Sequence, residues 1–134
     1  MQDVIKKFRF KENGIVINSP KTLENQFVKL GFHTSFDNRI KATNTLVFVK
    51  SKEEILDFFS TQLKNIEEDI ILWIASPKGT SKIKTDINRD TIRDTGENFG
   101  ITTVAAISIN ATWSALRFRP MEKVGMTKDK TKDR

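Results

Sequence analysis

Residues 70–93 read I-I-L-W-I-A-S-P-K-G-T-S-K-I-K-T-D-I-N-R-D-T-I-R. The nearly unbroken apolar run from Ile70 to Ala75 is the pattern of a strand covered on both faces. Pro77 ends it, since proline has no amide to give to a ladder. A short loop of Lys, Gly, Thr and Ser follows, and Asp86 is expected to cap a helix carrying Ile87, Ile92 and Phe99, stopped by Gly100. Strand, polar loop and helix make the repeating unit of an α/β sheet, and the loop at a strand's C-terminal end is where such sheets bind ligands.

The same alternation continues in both directions. Upstream, Gly14–Asn18 is a β-branched strand pattern, and Ser19-Pro20 reads as an N-cap followed by proline at the first helical position. Leu23, Phe27 and Leu30 stripe that helix and Gly31 stops it. Phe32–Phe36 reads as a weaker strand, ending at Asp37-Asn38. A loop around Arg39–Asn44 leads to the strand Thr45–Val49. Ser51 and Glu54 form an S-x-x-E capping box before a helix striped by Ile55, Phe59, Leu63 and Ile66, and Glu68-Asp69 turns the chain back.

Downstream, Gly96 costs its helix about 1 kcal/mol against alanine, which close packing against a neighbour would justify. Ile101–Ile109 is a further apolar strand. Asn110–Thr112 turns, and Trp113–Arg119 returns as an antiparallel partner ended by Pro120. On it Ser114, Leu116 and Phe118 face one way; Trp113, Ala115, Arg117 and Arg119 face the other. The expected architecture is therefore an α/β three-layer Rossmann-like sandwich, a mainly parallel sheet with a C-terminal antiparallel hairpin and helices on both faces. Residues 14–120 form this single domain. Residues 1–13 are an N-terminal arm or edge strand, and 121–134 are a charged tail expected to be disordered.

Composition narrows the chemistry. The 134 residues contain no cysteine, which removes disulfides, thiolate zinc sites and cysteine nucleophiles. His33 is the only histidine, so a Ser-His triad has no base to use elsewhere and any metal would rest on carboxylates. The N-terminus lacks a signal-peptide core and no run reaches membrane-spanning length, so the expectation is a cytoplasmic protein without a membrane partner. The net charge of +6 is unevenly spread: residues 78–93 sum to +3, whereas 51–69 sum to −4. A basic face and an acidic face point to one anionic ligand more than to nucleic acid.

Two stretches carry a family resemblance. W-I-A-S-P-K-G-T-S-K-I-K-T-D-I-N-R-D (73–90) and A-T-W-S-A-L-R-F-R-P (111–120) resemble an uncharacterised bacterial family of domains of unknown function, which shows P-K-x-x-S-K, an N-R-D helix start and a closing W-S-A-L-R-F-R-P. The likeness covers roughly Leu46 to Pro120. The turn before Trp113 reads I-N-A-T where the family carries a more acidic V-D-x-T, so no acid stands at Asn110. The resemblance implies no activity and no cofactor; it supports the choice of stretch.

Lys78, Ser81, Lys82, Asn88, Arg89, Trp113, Arg117 and Arg119 are the candidate ligand-binding residues. Loop amides and a helix start favour an anion, Lys and Arg add charge, and Trp113 offers a stacking surface. P-K-G-T-S-K is not a phosphate loop of the G-x-x-x-x-G-K-[ST] kind. The same residues also suit a solvated basic loop with ion pairs among Arg89, Asp90, Arg93 and Glu97, and Trp113 also suits the core. The leading reading is a non-catalytic domain binding phosphate, nucleotide or carboxylate. Nucleic-acid binding through the basic face, a degenerate methyltransferase-like enzyme, and a partner docking on the acidic helix 51–67 are the alternatives. Against the enzyme stands Asn18-Ser19-Pro20-Lys21 after the first strand, with none of the glycines that let backbone approach a nucleotide cofactor.

Overall fold

A computed structural model of the chain describes residues 2–10, 14–35, 42–63 and 66–124. Five strands, β1 (Ile15–Ile17), β2 (Ala42–Phe48), β3 (Ile66–Pro77), β4 (Ile101–Ser108) and β5 (Trp113–Pro120), form one sheet in the order β1-β2-β3-β5-β4. β1, β2 and β3 are parallel neighbours, and β5 is antiparallel to both β3 and β4. The sheet is mixed: four strands share one direction and β5 alone opposes them. The C-terminal hairpin is present, with its second strand inserted between β3 and β4.

The helices α2 (Lys21–Lys29), α3 (Lys52–Thr61) and α4 (Arg89–Glu97) cover both faces. Strand alternation decides which apolar residues each receives. Val16, Leu46, Phe48, Trp73 and Ala115 meet Leu23 and Phe27 of α2. Val47, Val49, Leu72, Ile74, Leu116 and Phe118 meet Ile55 and Phe59 of α3 and Ile92 of α4. β3 is therefore covered on both sides, as its apolar run requires. A six-residue helix, α1 (Gln2–Lys7), precedes Phe8, which is fully buried on the α2 face, so the N-terminal arm enters as a helix and not as an edge strand. The buried Trp73 indole donates to the Phe8 carbonyl at 2.9 Å and ties that arm down.

Several local expectations shift. Ser19 does not cap α2. Asn18 adopts φ 59°, the helix begins one residue later with Pro20 at its cap, and the Leu23 and Glu24 amides both donate to the Pro20 carbonyl. The strand expected at 32–36 reduces to His33, which bridges Ile15; Phe36 and residues 37–41 lie outside the described residues. Ile66, Glu68 and Asp69 belong to β3, which starts earlier than its apolar core because pairing with Ala42 extends it across an irregularity. Asp86 does not cap α4: Asn88 does, while the Asp86 carboxylate accepts the Lys52 amide at 2.8 Å in the first turn of α3. Phe99 lies beyond α4 and is 36% exposed. Met121–Val124 form a 3-10 turn, and 125–134, the rest of the expected disordered tail, lie outside the described residues.

The connection after β1 sets the topology. The Val16 amide donates to the His33 carbonyl at 2.9 Å and the His33 amide to the Gly14 carbonyl at 3.0 Å. β2 occupies one edge of β1, so His33 sits on the other. The chain thus leaves β1 outward through α2, whereas β2, β3 and β4 succeed one another inward through α3 and α4. The direction of winding reverses between β1 and β2, and right-handed crossovers accordingly place α2 on one face and α3 and α4 on the other. Among the described residues no helix is long and apolar enough to cross a membrane.

Candidate anion site at the C-terminal edge of the sheet

The loop after β3 is held against the start of β5. Pro77 pairs with Trp113, and the Lys78 amide donates to the Thr112 carbonyl at 2.7 Å. A tight turn follows, with the Ser81 amide on the Lys78 carbonyl at 2.9 Å. Farther along, Thr85 Oγ1 donates to the Lys50 carbonyl at 2.6 Å, and Asp86 holds the Lys52 amide. These bonds strap the loop over the ends of β2 and β3. Ile83 packs on the α2 face and Ile87 on the α4 face, so the loop crosses the edge and leaves a cleft on each side.

The cleft on the α4 face has a volume of about 560 Å³ and is lined by Ser76, Lys78, Asn88, Arg89, Ser108 and Ser114 among others. Three of these form a row: Ser76 pairs with Ser114, and Ser114 with Ser108, across β3, β5 and β4. Lys78 Nζ donates to Ser108 Oγ at 2.7 Å, which holds the ammonium over one end of the row. On the far wall, α4 begins with a reciprocal capping box. Asn88 Oδ1 accepts the Thr91 amide at 3.0 Å, and Thr91 Oγ1 accepts the Asn88 amide at 2.8 Å. That box satisfies the third amide of the helix and leaves the first two toward solvent, where an anion gains from the helix dipole. Because Asp86 is drawn away to α3, no carboxylate lines this cleft among the described residues.

The candidate residues separate into four groups. Lys78, Asn88 and Arg89 come together in this cleft. Ser81 and Lys82 do not line it: Lys82 is exposed, and Ser81 Oγ is buried without a hydrogen-bond partner. Trp113 sits on the opposite face, 5% exposed, in edge-to-face contact with Phe48. Arg117 lies opposite Trp73 and Arg119 opposite Thr102. β5 runs away from the ligand edge, so these arginines fall roughly 13 Å and 20 Å below Trp113 at about 3.3 Å per residue. They do not join the cleft. The sequence reading missed the serine row, although its signal was present: one small hydroxyl interrupts each of I-A-S-P, A-I-S-I and W-S-A-L near a strand end.

The ion pairs expected along α4 are partly present. Arg93 bridges Asp90 at 3.4 Å and Asp94 at 3.7 Å, both exposed and each worth well under 1 kcal/mol. Glu97 instead accepts Thr102 Oγ1 at 2.6 Å, joining the end of α4 to β4.

No protein-family model and no curated protein matches the chain. Among solved structures it is similar to a protein in the NADB-Rossmann superfamily from Streptococcus agalactiae, with 10% identity, a TM-score of 0.50, and coverage of 90% of this chain and 68% of that one. It is also similar to LepI in complex with SAM, at 8% identity and a TM-score of 0.48, over 89% of this chain and 39% of that one. At such identity the first likeness speaks to fold alone, and the fold it shares is that of Rossmann-like α/β domains.

Proposed function

We propose that this chain is a non-catalytic Rossmann-like domain that binds a small anionic ligand, through a phosphate or carboxylate group, in the cleft on the α4 face. The observation that carries the reading is a lining rich in hydrogen-bond donors and free of carboxylates among the described residues. The hydroxyl row Ser76–Ser114–Ser108, the Lys78 ammonium, the Arg89 guanidinium and the open first turn of α4 border one cavity that no carboxylate enters among the described residues. Charge-assisted hydrogen bonds from such donors are about twice as strong as neutral ones, and arginine adds a bidentate fork. The position is also the usual one, outside the carboxyl ends of parallel strands.

Thermal unfolding in a panel of inorganic phosphate, nucleotides and acidic metabolites tests the reading. A ligand at about 100 times its Kd adds about 2.7 kcal/mol of stability, a rise of several degrees. Lys78→Ala and Arg89→Ala should abolish that rise while leaving the unliganded Tm nearly unchanged. A panel with no stabilising anion would overturn the reading.

A further inference from the structure

The two edges of the sheet are finished differently. β1 closes one side with three residues and is bridged on its outer edge by His33. β4 closes the other with eight, and no described strand pairs with its outer edge. An open edge of that length is a template for another strand, which proteins normally blunt with charge, proline, a bulge or a covering element. Residues 98–116 contain no charged side chain and no proline, the longest such run in a chain that is 30% charged, so the first two devices are missing. Covering is missing as well. Ala105 lies opposite Arg117 and Ala106 opposite Leu116, on the two faces of the sheet, yet both are exposed, and Val104 is 41% exposed. The helices stop short of the centre of this strand on both sides.

An irregularity between Thr103 and Ala105 is the one device present, and it decides which backbone groups face outward. The Ile109 amide donates to the Trp113 carbonyl, and the Gly100 carbonyl accepts the Met121 amide, both at 2.9 Å. Ile109 and Gly100 both turn toward the β5 segment although an odd number of positions separates them, so the alternation slips once between them. The groups left facing outward are those of Ile101, Thr103, Ala106 and Ser108. That set is the same read from either end, about a centre between Val104 and Ala105.

We infer that β4 is a self-association edge: a second copy of this chain pairs with it antiparallel, about a two-fold axis between Val104 and Ala105. The two five-stranded sheets then become one continuous sheet. Ile101 meets Ser108 of the second copy, and Thr103 meets its Ala106. Charge selects this occupant. A charged strand would leave its ions desolvated against valine and alanine with no counter-ion in the run, whereas the second copy brings the same small neutral side chains. The chain's own residues 125–134 hold six charged side chains in ten and match the edge poorly. The contact is a strip about 27 Å long and one sheet, about 10 Å, deep. It falls well below the roughly 800 Å² per partner of a standard interface, so the dimer is weak, with a Kd of roughly 100 µM. Ala106 and Ser108 also line the cleft on the α4 face, and the pairing brings Phe99 of the second copy, 36% exposed, toward the Ser108 end of that cleft. The pairing itself rests on the edge alone and stands whether or not the cleft binds an anion.

Sedimentation velocity of the intact chain from about 10 µM to about 1 mM, with amide exchange read by NMR at both concentrations, tests the inference. The weight-average mass should rise from monomer toward dimer. At about 1 mM the Thr103, Ala106 and Ser108 amides should exchange about fivefold more slowly, since roughly a fifth of the chain stays monomeric at that Kd. The Ile107 and Ile109 amides, which face β5, should change less. Val104→Lys should weaken association about tenfold, because the two copies would set two ammonium groups side by side at the axis. Its circular dichroism should stay native; Ala105→Lys takes its place should it misfold. A chain that stays monomeric at about 1 mM overturns the inference. So does a dimer that the lysine variant leaves intact, or protection of those three amides that does not depend on concentration, which would mean that the chain's own residues cover the edge.

Discussion

Replacing Gly96 by alanine sets two known effects against each other. In an exposed helix the substitution would stabilise by about 1 kcal/mol, because glycine gives up more backbone freedom on folding. Here a Cβ at position 96 would run into the Phe118 ring, meeting Cε2 in hard overlap, with Cδ2 at 3.1 Å and Cζ at 3.2 Å. Phe118 is 1% exposed and its ring packs edge-on against Phe59, with centroids 5.7 Å apart, so it has no room to retreat. Overpacking of a tight core costs about 1–3 kcal/mol. Since the overlap involves the body of a confined ring and not the end of a flexible chain, the upper half of that range applies. The net effect of Gly96→Ala is a destabilisation of about 1–2 kcal/mol, or a fall in Tm of about 3–8 °C for a domain of this size. Urea unfolding measures it, with Gly79→Ala as control: a Cβ there meets nothing within 4 Å, so that change should be neutral or slightly stabilising. In a Phe118→Leu background the cost of Gly96→Ala should shrink, because the two positions are coupled through one contact. If Gly96→Ala stabilised the protein by the full helix-propensity gain, the packing of α4 on β5 described above would be wrong.

Two further substitutions probe the interior. Thr45 is fully buried between Ile15 and Leu72 in the pairing register, and its hydroxyl has no hydrogen-bond partner, so Thr45→Val should raise stability by about 1 kcal/mol in chemical denaturation. Trp73→Phe leaves the buried Phe8 carbonyl without its donor; a loss of about 1–3 kcal/mol is expected, with faster amide exchange in the N-terminal residues than in β3.

The α/β class was legible because it rests on long periodic segments. The runs Thr45–Phe48, Ile70–Ala75 and Trp113–Arg119 lie in strands, Leu23 and Phe27 of the α2 stripe and Ile55 and Phe59 of the α3 stripe are buried where spacing placed them, and the two faces of β5 follow from alternation alone. Helix boundaries were less legible, since several residues could serve as caps. Asp86 and Asn88 are both good N-caps by type, and the choice turned on a long-range partner, the Lys52 amide, which no local pattern shows. Ile66 continues a helical stripe on paper, yet pairing with Ala42 takes it into β3.

The site was legible in its first half. The loop after β3 does meet the start of β5, so Lys78, Asn88 and Arg89 gather as their positions promised. Arg117 and Arg119 were grouped with them by nearness in sequence, but an extended strand carries each residue about 3.3 Å farther from the edge. The serine row was hidden for the opposite reason: its members lie on three strands and become neighbours only through register.

On the proposed function, the donor-lined cleft on the α4 face holds an anion. Amide NMR spectra recorded through a titration with inorganic phosphate test it most directly. Saturable shifts are expected at Lys78, Gly79, Asn88, Arg89 and Ser108, lost in a Lys78→Ala, Arg89→Ala double variant whose spectrum is otherwise native. Unmoved resonances at those positions, or identical shifts in the double variant, would contradict it.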